Sequence, residues 1–401
     1  MNAPAQAAHT QRLLAQVAEQ LGHPVPDEFA AALRQVPRDR FLPETVWVRD
    51  GQGGYLPLNR GTEPEEWMAA TYTDQTLVTQ FTDDLPTSSA SMPSMVLRML
   101  QLTGVTAPER TRQQPFNVIE LGTGTGFNAA LLSALLGQGA VTTVELDPAL
   151  AEQGERNLKT AGYTPTVVQA DAAKGYPGSA PYARVLATFS VDQIPPAWIT
   201  QTAPGGRIVT PWTSAWCCYG TLALTVSASG TAQGQFHDFA SFMPMRPSSE
   251  QQTANGAHAQ VTGAEELTSA TELSPWAVAG GDLDAEFHVG LTVSGAFFAW
   301  DTTGEHAPVR LRVEDTTSTS WATVDYDGAH TTEFTVTQAG PRRLWNEIAA
   351  AYASWENNGR PGVGRHGLTV HASGEHTLWL DSPDHPLTPS AEGRAKISKN
   401  P

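Results

Sequence analysis

Val118-Ile119-Glu120-Leu121-Gly122-Thr123-Gly124-Thr125-Gly126-Phe127 is an apolar run that stops at three alternating glycines and opens onto the helix-forming residues 128–136. A strand, a tight glycine turn and a helix N-terminus form a cradle for a nucleotide-bearing ligand, because glycines admit backbone amides where a Cβ would block the approach. The glycine spacing narrows the ligand. A dinucleotide fingerprint, G-x-G-x-x-G, needs its third glycine where Phe127 stands.

Working outward, Glu120 precedes the first glycine, and the resulting E-x-G-x-G-x-G pattern is of the kind that holds S-adenosylmethionine. Residues 141–145 form a second strand ending in Glu145, about twenty residues beyond the turn, where ribose hydroxyls need an acceptor. A third strand, 165–170, ends at Asp171, suited to the adenine amino group. The predicted cofactor-binding set is Glu120, Gly122, Thr123, Gly124, Gly126, Glu145, Leu146, Asp171 and Ala172. Three acid-ended strands in series predict an α/β fold, a class I S-adenosylmethionine-dependent methyltransferase with a Rossmann-like doubly wound sheet. S-adenosyl-L-homocysteine is the product that goes with that donor.

The chain has 401 residues, too many for one domain of ordinary size, so an additional strand-rich α+β C-terminal domain is expected. A formal charge of −17 excludes nonspecific binding to nucleic acid, which needs clustered Lys and Arg. Cys217 and Cys218 are adjacent and form neither a disulfide framework nor a metal motif. The 11 histidines lack ligand-type pairing, so no metal site is expected. With no membrane-length apolar run and no signal-like N-terminus, the reading is a cytoplasmic protein without a membrane partner. Oligomeric state is left open.

Residues 1–70 are expected as an N-terminal helical segment, with a helical hairpin over 11–36, and 71–247 as the methyltransferase domain. A Gln-, Ala- and Thr-rich linker spans 248–263, an accessory domain 264–385, and a disordered tail 386–401. The accessory domain is expected to hold short strands, including 287–293, a helix from Pro341 and a final hairpin over 368–380. Its tryptophans, Trp276, Trp300, Trp321, Trp345, Trp355 and Trp379, are read as core. Ahead of the glycine loop, Thr87-Ser88-Ser89-Ala90-Ser91-Met92-Pro93 places hydroxyls at a helix entrance. There a serine either caps the helix or, with free helical amides, holds an anionic substrate.

These segments together resemble the protein L-isoaspartate (D-aspartate) O-methyltransferases. Residues 36–43 are similar to their V-P-R-x-x-F-x-P segment, and Ser91-Met92-Pro93-Ser94-Met95 to S-x-P-x-M, whose serine serves the substrate carboxylate. The resemblance therefore implies a catalytic role for Ser91, with Ser88 and Ser89 beside it. This chain departs from the family in reading Ala170-Asp171-Ala172 for G-D-G, in the loop 187–195, and in continuing about 160 residues past Phe242. That combination resembles the homologues associated with ribosomally made, modified peptides, the graspetide and lanthipeptide aspartate methyltransferases. It implies methylation of an L-aspartate in a constrained precursor peptide, followed by aspartimide or isoaspartate formation. Thr188, Ser190 and Val191 are the implied substrate-binding residues, and the accessory domain is implied in peptide recognition.

Two other functions are carried forward, an isoaspartyl methyltransferase repairing damaged proteins and a non-catalytic peptide-binding scaffold. The carboxylate is already ionised at neutral pH, with a pKa of about 3.9, so the site needs hydroxyls and amides rather than a general base.

Overall fold

The computed structural model describes residues 3–106, 116–217, 219–246, 265–302, 309–326 and 332–387. The expected linker, all of the expected tail past residue 387, and Cys218 lie outside the described residues.

The chain opens with helices α1 (Ala3–Leu21) and α2 (Asp27–Gln35), parted where Gly22 and Pro26 interrupt the pattern. The polar segment that follows is structured. Strands β1 (Thr45–Arg49) and β2 (Tyr55–Asn59) form a hairpin, helix α3 (Pro64–Thr71) follows, and β3 (Leu77–Thr82) pairs with β4 (Leu85–Ala90). These strands make a four-stranded sheet, β2-β1-β3-β4. Helix α4 (Pro93–Thr103) starts at Pro93, as suits the first helical turn, and ends at Gly104 in the left-handed region.

The strands β5 (Val118–Leu121), β6 (Val141–Glu145), β7 (Thr166–Gln169) and β8 (Tyr182–Ala187) alternate with helices α5 (Phe127–Leu136) and α6 (Pro148–Ala161). Helix α7 (Pro196–Thr200) and strand β9 (Thr202–Pro211) follow, then the hairpin of β10 (Thr221–Val226) and β11 (Ala232–His237). The strands from β5 to β9 are parallel, and order reverses at β5, which lies between β6 and β8. Ligands bind beyond the carboxyl ends of strands at such a switch point.

Period-two alternation explains why these strands read as continuous apolar runs. Val118, Leu186 and Val209 join one core with α1, α2, α4 and α5, whereas their neighbours Ile119, Val185 and Ile208 join another around Trp198. Both faces of the sheet are covered.

The C-terminal part has its own antiparallel sheet. Its strands are β12 (Leu267–Thr271), β13 (Ala296–Asp301), β14 (Val309–Asp315), β15 (Trp321–Tyr326) and β16 (Phe334–Ala339), in the order β12-β16-β15-β14-β13. A turn of helix α8 (Pro275–Val278), then α9 (Leu283–Thr292) and α10 (Leu344–Asn357), pack beside it. Residues 287–293, expected as a strand, lie almost wholly in α9. Asp282 caps that helix by accepting from the amides of Asp284 and Ala285, a signal that outweighs the β-prone composition.

The expected boundaries also need correction. The last strands, β17 (His366–Val370) and β18 (His376–Leu380), return to the first sheet by pairing β17 with β11, giving nine strands. The region 264–385 is therefore not a separate body. The core around Trp198 runs on through Phe287, Val289 and Trp345. Buried His288 of α9 and His366 of β17 join the two parts, ring nitrogens 2.9 Å apart. Of the tryptophans, Trp345, Trp355 and Trp379 are buried, but Trp276 is 50% exposed and stacks only partly on Trp300. Among the described residues no helix is long and apolar enough to cross a membrane.

Candidate active site

At the carboxyl ends of β5, β6 and β8 lies a cavity of about 320 Å³, within the roughly 300–1,000 Å³ usual for small-molecule sites. One wall carries Glu120, Gly122, Thr123, Gly124, Glu145, Leu146, Asp171 and Ala172; the other carries Ser88, Ser89 and Ser91. The donor residues and hydroxyl residues predicted from sequence thus share one space.

The glycine loop is shaped by contacts rather than by flexibility. Gly122 sits at φ +98°, and a Cβ there would overlap the Thr188 hydroxyl and press on the Phe189 ring. Gly126 faces away. Its built Cβ meets the Gly154 carbonyl and Leu158 of α6, and Gly126 does not line the cavity. It lets a helix approach the loop, which corrects its expected place in the cofactor set.

Under the loop lies a buried polar chain. Thr143 Oγ1 donates to Glu120 Oε2 at 2.5 Å, Thr123 and Thr143 hydroxyls are 2.7 Å apart, and Asn128 Nδ2 donates to Glu120 Oε1 at 2.7 Å. Because the Thr143 proton goes to Glu120, Thr123 is the donor to Thr143. Burial pushes the Glu120 carboxyl up to about 7, the Thr143 and Asn128 bonds oppose this, and the negative charge of Glu145 adds to it. Both Glu120 oxygens are occupied within the protein, so Glu120 anchors the loop.

Glu145 Oε2 accepts from the Gly124 amide at 2.9 Å, and Oε1 from the Leu146 amide at 3.0 Å. Asp171 Oδ1 accepts from the Ala173 amide at 2.9 Å. Its second oxygen has no hydrogen bond among the described residues. Trp198 Nε1 donates to the Ala172 carbonyl at 2.8 Å and fixes that wall. The Asn128 Oδ1 is buried without a partner among the described residues.

On the opposite wall, Thr79 Oγ1 donates to Ser88 Oγ at 3.2 Å, while the Ser89 and Ser91 hydroxyls have no partner among the described residues. The helical amides are less available than expected. Pro93 has none, the Ser94 amide donates to Asp74 Oδ1 at 2.8 Å, and the Val96 amide to the Met92 carbonyl at 3.0 Å. The Ser94 and Val96 amides are thus engaged, and the Ser89 and Ser91 hydroxyls remain as donors among the described residues.

No motif in the sequence assigns Arg38 a role. It is 1% exposed, and its guanidinium donates to the carbonyls of Thr71, Thr73, Gln75, Ala90 and Ser91 at 2.9–3.3 Å. It ties the end of α3 and the approach to β3 to the turn carrying Ser91. Burial lowers its pKa to about 10, against the attraction of Asp74, so it stays charged at neutral pH. Beside it, Tyr72 donates to Asp39 at 2.6 Å. The Val36-Pro37-Arg38 quotation in the sequence was the available signal, but only contacts from 33 to 53 residues away reveal the function of the arginine.

The expected substrate residues are placed differently. Thr188 lines the cavity, with its hydroxyl on the carbonyls of Leu121 and Gly122. Ser190 and Val191 do not line it. Ser190 is 1% exposed and donates to the Phe242 carbonyl, and Val191 is buried against Trp212 by a parallel bridge. What reaches the cavity from that side is the segment 242–246 that Ser190 holds. Among the described residues no cluster of three or more His, Cys, Asp or Glu could hold a metal ion.

Residues 59–217 match the family described as protein-L-isoaspartate(D-aspartate) O-methyltransferase. The chain is similar to the protein-L-isoaspartate O-methyltransferase of Ignicoccus hospitalis, 32% identical over 186 residues, covering 46% of this chain and 72% of that one. It is likewise similar to that of Methanopyrus kandleri, 32% identical over 194 residues, covering 48% and 71%. A solved structure of a protein-L-isoaspartate O-methyltransferase, 19% identical, shares the fold at a TM-score of 0.54, covering 93% of this chain and 100% of that chain.

Proposed function

Because this chain belongs to the protein-L-isoaspartate(D-aspartate) O-methyltransferase family, whose members are S-adenosylmethionine-dependent carboxyl O-methyltransferases, we propose that it methylates the free carboxylate of L-isoaspartyl residues in peptide or protein chains. The observation that carries this reading is the meeting, in one cavity, of the donor wall with the unpaired hydroxyls of Ser89 and Ser91.

The residues present fit the donor. At Gly124, φ +50°, a Cβ would stand between the loop and Ser88, 3.8 Å from its hydroxyl, so the glycine keeps that space open; Glu145 offers its carboxylate to ribose hydroxyls, and Asp171 keeps an oxygen for the adenine amino group. When bound, the sulfonium supplies an electrophilic methyl group. The chain's own task is to hold the carboxylate still and in line: Ser91, and Ser89 beside it, donate to one carboxylate oxygen and leave the other to react. Orientation of this kind supplies effective molarities of roughly 10⁵ M or more. No proton needs to be removed, since the acceptor is ionised, which accords with a wall of hydroxyls.

A narrower reading is methylation of an ordinary L-aspartate in a constrained precursor peptide. The departures that suggest it are Ala170-Asp171-Ala172, the loop 187–195 and the length of chain beyond Phe242; of these, length does not separate the two, because the fold of a solved protein-L-isoaspartate O-methyltransferase covers 93% of this chain. Labelled methyl transfer into an L-isoaspartyl peptide and into a cyclic L-aspartyl peptide separates them. Transfer to the isoaspartyl peptide is expected; labelling of the cyclic peptide alone would establish the narrower substrate. Labelling of neither, with the donor still bound, would leave a peptide-binding scaffold.

A further inference from the structure

Three segments distant in sequence meet beside Glu145. Gln80 of β3 donates to Asp147 Oδ2 at 3.4 Å, and its own Oε1 accepts from Thr87 of β4 at 2.8 Å. Arg246 approaches the same Asp147 oxygen at 3.7 Å and Glu145 Oε1 at 3.6 Å. Asp147 is a fixed post, because its Oδ1 caps α6 by accepting from the amides of Ala149 and Leu150. Arg246 is carried by a pinned strap: the Ser190 amide donates to the Met243 carbonyl at 2.9 Å, and the Met245 amide to the Ser190 carbonyl at 2.8 Å. Among the described residues lining the cavity, Arg246 is the one cation, and the acids there are Glu120, Glu145 and Asp171.

We propose that Gln80, Asp147 and Arg246 form a polar clasp along the ribose edge of the donor site, positioning the donor and slowing release of the demethylated product. The clasp joins the wall that carries the serines to the strap that carries Arg246, so its closure completes the cavity around the ribose acid. This rests on the reading of Glu145 as that acid. Arg246 is 36% exposed, Asp147 21% and Glu145 7%, and both ion-pair distances exceed 3.5 Å, so the clasp yields on the timescale of turnover and is weakened by salt.

The test is the dissociation rate of S-adenosyl-L-homocysteine from the full chain, followed by stopped-flow tryptophan fluorescence, with affinity by calorimetry. Arg246→Gln is expected to release the product about five-fold faster, in line with the loss of a long ion pair whose cation is partly exposed. Arg246→Lys should recover part of the difference, and Gln80→Ala should show a smaller increase. The wild-type rate should rise with ionic strength, and that of R246Q should hardly change. Release from R246Q at the wild-type rate, or tighter binding by it, would overturn the clasp, the latter because Arg246 would then be competing with the ribose. If the wild type does not bind S-adenosyl-L-homocysteine at all, the donor reading itself falls, and the clasp with it.

Discussion

On the donor side of the cavity, the glycine loop, Glu145 and Asp171 come from three consecutive strand ends, each close in sequence to the turn it serves. On the acceptor side, Ser91 takes its place from Arg38, which lies 53 residues earlier and binds five carbonyls in three segments. The donor wall is a run of local motifs set on a buried sheet. The acceptor wall is the end of β4, paired with β3, and the turn from it into α4, where a guanidinium ties the carbonyls of Ala90 and Ser91 to those of Thr71, Thr73 and Gln75. A substitution should therefore damage one wall locally and the other at a distance.

Arg38→Ala is the most severe way to break that contrast. It leaves several buried carbonyls unpaired, and a loss on the order of 3–5 kcal/mol is expected in urea unfolding, together with loss of methyl transfer. Arg38→Lys, which keeps the charge but not the planar fork, should retain the fold and still lose turnover. If R38K turns over like the wild type, the acceptor wall does not depend on this geometry.

Ser91→Ala isolates the acceptor wall. It should lower kcat/KM about 100-fold, as removal of one placed donor commonly does, while calorimetry finds S-adenosyl-L-homocysteine affinity unchanged. Equal losses in both quantities would show that the walls are not separable.

Asp171→Ala is the counterpart on the donor side, expected to weaken S-adenosyl-L-homocysteine by about ten-fold. Its effect on turnover at saturating donor should be small.

A pH dependence sharpens the role of Glu120. Its folded pKa of about 7 lies above the unfolded value of 4.5. The folded state therefore keeps a proton that the unfolded chain gives up as pH rises from 4.5 to 7. Stability from this group falls through that window, by up to roughly 3 kcal/mol, and is level above it. Unfolding free energies at pH 5 and pH 8 should differ more in the wild type than in Glu120→Gln; an equal difference would assign the pH dependence elsewhere.

Legibility followed the same division. Alternate glycines, an acid at the end of each strand and apolar runs of strand length all act within a few residues, and so the donor wall could be read directly. Residues 287–293 were misread because a capping aspartate outweighed strand-like composition. Ser190 and Val191 were read as substrate residues, but the Phe242 strap claims the Ser190 hydroxyl and burial removes Val191. The separate accessory domain failed for a related reason. Nothing in the letters of residues 366–380 says that they pair with β11, more than a hundred residues earlier.

By itself the sequence determined the doubly wound parallel sheet and the donor loop, because those depend on periodicity and on what glycine and carboxylate do locally. Only the tertiary structure decided which hydroxyls stay free, that Arg38 holds them and that the C-terminal strands close the first sheet. Hydrogen-bond partners and buried neighbours far apart in the chain are chosen by the packed fold, where each unpaired polar group must be satisfied, and no local pattern records that choice.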